Sequence, residues 1–292
     1  MSRRSLVHLI GIATITACTA IGCKSDSAME RLSQARDLSA NLLVHFTTAA
    51  DAANKAVMAD TDDASVAFAR DAEEAKQAVQ TNIDALQPIL QGLNYSDETR
   101  LLQEFVTRFA EYRELDRRIL DLAVENTNLK AQRLSFGAAQ EAADAFRDSL
   151  EAVVPLNEVK DAWRVKAFVS TAVAAVREIQ VLQAPHIADA DDGVMTSMER
   201  RMAAAESVAR KASGALAPLV QPASRSRLDA AAAALDRFMS VNAQITALSR
   251  RNTNVLSLAL SLNQKGKLTV ACEDGLRALR EDLARRGFTG TR

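Results

Sequence analysis

Asp116 and Asn242 stand 126 residues apart, each on the apolar stripe of a helix-forming segment. Tyr112, Leu115 and Ile119 flank the first, and Phe238, Val241 and Ile245 flank the second. A polar group at a core position has to be satisfied by a partner helix, a water or a ligand. Paired across helices, such groups fix register. Facing a gap, they recognise a small molecule, and this second chemistry makes Tyr112, Asp116, Gln132 and Asn242 the candidate ligand-binding residues. Tyr112 and Gln132 enter as neighbours of Asp116, because the third and fourth helical segments join at Asn126 and are expected to run antiparallel.

The remaining polar residues have structural explanations. His45 has a core-type spacing between Leu42 and Ala49, and no second His or Cys is placed to make it a metal ligand. The acidic clusters Asp60, Asp62, Asp63 and His186, Asp189, Asp191, Asp192 lack the glycine and the distal glutamate of a calcium loop. Carboxylates at helix starts cap exposed N–H groups and complement the helix dipole, which accounts for them. Asn126-Thr127-Asn128 and Asn252-Thr253-Asn254 are helix-end asparagines that tolerate left-handed geometry and cap the next helix. Cys272 takes the place of Phe146 in the repeat described below and is expected to be a small core residue. Trp163 lies off its stripe, beside Arg164 and Lys166, as a surface anchor would. The sequence holds no Gly-rich phosphate loop, haem-attachment motif, di-iron pair or nucleophile beside a histidine, so no enzyme, cofactor or metal is expected.

Composition limits what can position these residues. Ten Gly and five Pro are too few for an all-β chain, and 4% aromatics against 48% hydrophobic residues mean a core of Ala, Leu and Val. The formal net charge is −1, which leaves no basic surplus for nucleic acid. Of three cysteines only Cys272 lies beyond the N-terminal segment, so a disulfide framework is excluded there.

That N-terminal segment reads as an address. Arg3 and Arg4 precede an uncharged apolar run from Ser5 to Gly22, and then comes Cys23. Ala20-Ile21-Gly22-Cys23 resembles the lipobox, at which a signal peptide is cleaved and the cysteine thiol is lipidated. Ile15-Thr16-Ala17-Cys18 fits the same pattern. Cys23 is preferred because it leaves an apolar region of ordinary length and puts the polar tether Lys24 to Ser27 directly behind the lipid. An uncleaved signal anchor is the alternative, since the run is just long enough to span a bilayer. Both readings place the body in the bacterial cell envelope, and the lipid makes the membrane its first partner, in either the outer or the cytoplasmic membrane facing the periplasm.

From Ala28 onward helical periodicity dominates, with breaks at Asp60 to Asp63, Gly92 to Ser96, Glu125 to Asn128, Val154 to Asn157, Pro185 to Gly193, Gln221 to Ser224 and Arg251 to Asn254. The breaks repeat. Ala59-Asp60-Thr61-Asp62-Asp63 recurs 129 residues on as Ala188-Asp189-Ala190-Asp191-Asp192, and the Asn-Thr-Asn turn recurs 126 on. The fourth segment's stripe of Leu129, Gln132, Phe136, Ala139, Ala143, Phe146, Leu150 and Val153 maps by 126 onto Val255, Leu258, Leu262, Lys265, Thr269, Cys272, Leu276 and Leu279. The expected fold is all-α: two tandem antiparallel four-helix bundles, residues 28–153 and 157–285, with a tail at 286–292.

Residues Ala59 to Asp63, Arg108-Phe109-Ala110-Glu111-Tyr112 and Ile119-Leu120-Asp121-Leu122-Ala123 resemble the four-helix-bundle ligand-binding domain of methyl-accepting chemotaxis receptors. The likeness covers nearly all of 28–153 and, more weakly, 157–285. It implies an extracytoplasmic sensor that binds a small molecule or an envelope protein, and a homodimer, since receptors with this module usually pair. Such receptors continue into a second membrane helix and a signalling coiled coil. Here no second apolar run precedes Arg292, so a sensing half that reports to a partner by contact is expected. The other reading is a structural or adaptor lipoprotein that docks envelope proteins along its helical surface.

Overall fold

The computed structural model describes residues 27–154 and 161–286, and every regular element among them is helical. Cys18, Cys23, the tether as far as Asp26, the joint at Pro155 and Asn157, and the tail from Gly287 lie outside the described residues. The helices are α1 (Ala28–Met58), α2 (Asp62–Gly92), α3 (Ser96–Glu125), α4 (127–151), α5 (Ala162–Ala188), α6 (Asp192–Leu216), α7 (Arg225–Arg251) and α8 (253–285). The breaks fall where the polar clusters stand, for the reasons the side chains suggest. Ser27, Thr61 and Asp191 accept hydrogen bonds from the backbone N–H of Glu30, Ala64 and Val194 and start α1, α2 and α6. One break is shorter than expected, because α5 runs through Pro185 to Ala188.

The duplication is visible in the helix ends. α3 and α7 end 126 residues apart, at Glu125 and Arg251. α1 and α5 end at Met58 and Ala188, and α2 and α6 start at Asp62 and Asp192, an offset of 130 rather than 129.

The grouping of helices differs from the consecutive one. α4 packs against α5 and α7, while α8 packs against α1 and α3. One core therefore joins Phe46, Ile83, Phe105 and Phe109 to Leu276 and Leu279, and the other joins Phe146 and Leu150 to Val176, Met202, Leu235 and Phe238. The expected bundles at 28–153 and 157–285 are corrected to 28–125 with 253–285 (core A) and 127–151 with 162–251 (core B). Loop length is the reason. A helical hairpin needs about two to five connecting residues to set two axes 8–10 Å apart. The three residues 59–61 and 189–191 allow α1–α2 and α5–α6 to fold back, but Asn126 and Asn252 alone separate α3 from α4 and α7 from α8. Both asparagines are left-handed, with φ of 51° and 53°. Each fourth helix leaves its own half and completes the other.

Where the two connections meet, they cap one another. Thr127 and Thr253 each donate a backbone N–H to the other's Oγ1, at 3.1 and 3.2 Å, and Asn128 and Asn254 each donate to the other's Oδ1, both at 3.1 Å. The asparagines were expected to cap their own following helices; the exchange hands that task to the opposite connection. Asn128 and Asn252 also donate to the carbonyls of Ile187 and Asp189, which ties the α5–α6 loop into the crossing.

Ser135–Ala139 and Ser261–Lys265 are π-helical turns, again 126 apart. A π turn inserts a residue, and one residue is about 100° of rotation. A stripe drawn back from Ala139 therefore lands on the wrong face. Ala139, Ala143, Phe146, Leu150 and Val153 are buried as expected, but Gln132 is exposed, and Phe136 and Leu262 are each 71% exposed.

Cys272 is fully buried in core A. Burial pushes its thiol up to about 12, against the pull of Arg108 and with the help of Glu111 and Glu273. With Cys18 and Cys23 replaced by Ser, a disulfide reagent at neutral pH is expected to modify Cys272 no faster than the protein unfolds. Rapid labelling of the native chain would show that α8 is not seated in core A.

Candidate functional site

Core A is interrupted by charge. α2 contributes Lys76, α3 Asp116 and α8 Lys265, with side chains 2%, 0% and 2% exposed. Lys76 Nζ lies 2.7 Å from Asp116 Oδ2 and 2.6 Å from Glu73 Oε1, whose side chain is 57% exposed. Lys265 Nζ lies 3.3 Å from Asp116 Oδ1. Inside the bundle, two ammonium groups share one carboxylate. Burial holds the Lys265 ammonium below the usual lysine range despite Asp116, and Lys76 adds to that lowering.

Tyr112 lies one turn from Asp116 on α3, packed edge-on against Phe46 at 5.1 Å and stacked on Phe109 at 6.3 Å. Its hydroxyl is buried without a hydrogen-bond partner among the described residues. Burial, and then the charge of Asp116, raise its pKa well above 10.0. The other half has Phe238 at this position. Tyr112→Phe is therefore expected to leave stability unchanged or raise it by up to about 1 kcal/mol in urea unfolding, because a buried unpaired hydroxyl is removed. Since the unfolded phenol ionises first, the folded wild type also loses stability as pH rises above 10.0, and the variant loses less.

The four expected site residues do not form one pocket. Tyr112 and Asp116 share core A, Gln132 sits on the surface of core B, and Asn242 is buried in core B. Asn242 Oδ1 accepts from Gln183 Nε2 at 2.9 Å, and its Nδ2 lies 3.7 Å from Met202 Sδ, so the amide is partnered within core B. The exchange of α4 is what separates Gln132 from Tyr112. Neither Lys76 nor Lys265 is expected from the sequence as a partner of Asp116; the available signal was Lys265, a charged residue on a stripe where six of eight positions are apolar.

His186 is likewise not a loop residue. It is fully buried at the end of α5, with Nδ1 against Ser249 Oγ and Nε2 3.0 Å from Glu199 Oε1. Arg250 hydrogen-bonds both oxygens of Glu199, at 2.8 and 2.9 Å, and with the His186 contact this holds the carboxyl below the usual range against partial burial. The residue types are those of a nucleophilic triad, but Ser249 is fully buried and its hydroxyl also reaches the carbonyl of Thr246, so the group clasps α5, α6 and α7 beside the crossing.

Each buried lysine reaches a surface groove. Lys265 lies at the floor of one of about 350 Å³ between the end of α1 and the start of α8, bounded by Asn54, Val57, Met58, Leu258 and Leu262. Lys76 and Glu73 edge another of about 290 Å³ between α2 and α3, beside Arg113 and Arg117. Among the described residues no group of three or more His, Cys, Asp or Glu is placed to hold a metal, and no helix is long and apolar enough to cross a membrane. Comparisons with protein-family models, with curated proteins and with solved structures give no match.

Proposed function

We propose that the chain is a ligand-binding or sensor module of the bacterial cell envelope, tethered to its membrane through lipidated Cys23, in which the charged layer of core A is the responsive element. One observation carries this reading: the two halves share a fold, but only core A buries a layer of two lysines on one aspartate, whereas the buried ionisable side chain of core B is His186. Where core A holds Asp116 and Lys265, core B holds Asn242 and Ala139, and the position of Lys76 is taken by Glu206, which pairs with Arg210 at the surface. The architecture closes without the charges. Buried ion groups are commonly neutral or unfavourable relative to apolar replacements, so their presence in core A calls for a role other than stability. The resemblance to chemotaxis receptor sensor domains supports the same conclusion. A ligand drawing on Lys265 shifts α8 against α3, and the one-residue links at Asn126 and Asn252 pass that shift to α4 and α7.

The test is a thermal-shift screen of small metabolites together with a charge-free Lys76→Met, Asp116→Leu, Lys265→Met variant. Ligands that stabilise the wild type and not the variant support the proposal. A variant that replaces the wild type in cells, together with a screen without hits, sinks it. The adaptor reading draws on Trp163 and Phe136, 73% and 71% exposed on the core B half. Capture of an envelope protein that is lost on Trp163→Ala or Phe136→Ala would favour it.

A further inference from the structure

We infer that the groove over Lys265 binds a small amphiphilic carboxylate, with its anionic head on the Lys265 ammonium and its apolar tail along Met58, Leu258 and Leu262. This rests on the ligand-binding reading and names the ligand class. Three observations meet here. Lys265 has a single anionic partner, Asp116 at 3.3 Å, and that carboxylate also serves Lys76 at 2.7 Å. An ammonium has three N–H donors, so the single bond to Asp116 leaves Lys265 hydrogen-bonding capacity for an incoming anion. Second, the exposed edge of the groove offers a further donor. Asn54 Oδ1 accepts from Ser261 Oγ at 3.2 Å, which orients the amide and leaves Asn54 Nδ2 without a partner among the described residues.

Third, the walls are apolar and open. Met58, at the end of α1, and Leu262 are each 71% exposed and Leu258 38%; on α8 the π turn rotates this stretch away from the core. A buried cation beneath an apolar rim selects a head and a tail at once, and the volume lies at the lower end of the range for small-ligand sites. Neutral amphiphiles leave the charge unmatched, and short polar acids leave the rim uncovered. The repeat supplies an internal control, since Phe136 is the equivalent of Leu262 but Ala139 replaces Lys265 beneath it.

The experiment is calorimetric titration of the purified chain with decanoate below its micelle concentration, with decanol and decyltrimethylammonium as comparison probes. Decanoate is expected to bind at a single site and the other two at least about tenfold more weakly. Lys265→Met is expected to weaken decanoate at least about tenfold. Leu262→Glu, a change at an exposed position that leaves core A intact, should abolish binding by setting a carboxylate at the rim. Phe136→Glu should change nothing. Equal binding of decanol, or full decanoate binding by Leu262→Glu, overturns the proposal, as does association with phosphatidylglycerol vesicles in the absence of decanoate binding. A thermal-shift hit from an uncharged compound with no response to any acid also overturns the ligand class, and leaves the ligand-binding reading standing.

Discussion

Asp116→Leu is expected to destabilise the protein by about 3–5 kcal/mol, because it removes the carboxylate that two buried ammonium groups share. Lys76 keeps Glu73 at its outer edge, but Lys265 loses its one anionic partner at a position 2% exposed. The loss should be non-additive. Replacing all three members, Lys76→Met and Lys265→Met with Asp116→Leu, removes the unpaired charges together and is expected to restore stability to the wild-type value or exceed it by roughly 1–4 kcal/mol. Urea unfolding of the single and triple variants reads both outcomes. A single variant as stable as the wild type would mean that solvent reaches the layer and that the lysines are not truly buried.

Phe146→Ala is expected to cost about 3–5 kcal/mol, the usual range for emptying a fully buried phenylalanine site. Its position in the chain makes the location of the damage informative. By sequence Phe146 belongs with α1 to α3; in the structure it packs with α5 to α7. Native-state hydrogen exchange should therefore quicken in α5, α6 and α7 at denaturant concentrations where α1 to α3 remain protected. Faster exchange confined to α1 to α3 would restore the consecutive grouping and remove the exchange.

Much of this architecture is legible in the sequence. Helical periodicity, the acidic clusters at Asp60 to Asp63 and Asp189 to Asp192, and the paired Asn-Thr-Asn turns locate the helices and reveal the duplication, since these are local effects of side chains on their own backbone. Of the expected carboxylate caps Asp191 is one, while α1 and α2 are capped by the hydroxyls of Ser27 and Thr61. The exchange is not local. It depends on whether the turn at Asn126 uses one residue or four, and a polar cluster reads the same in both cases. The π turns escaped for a related reason: the pattern on each side is sound helix, and only the phase between the sides changes. Asp116 was found because a polar residue on an apolar stripe is conspicuous and its counterpart Asn242 is polar as well. Its partners were not, because Lys76 and Lys265 are 189 positions apart and meet only when α8 enters the other half's core.

The reciprocal capping of Thr127 with Thr253 and Asn128 with Asn254 joins more than two helix starts. Each half has lent the other the helix that closes its core, so neither is a domain that could be cut out and kept. A strand break, deletion or register shift in one half opens the interior of the other. The two halves are thus tied to a common length and phase at the crossing, while remaining free to diverge further along the helices, where only one buries the Lys76, Asp116 and Lys265 layer.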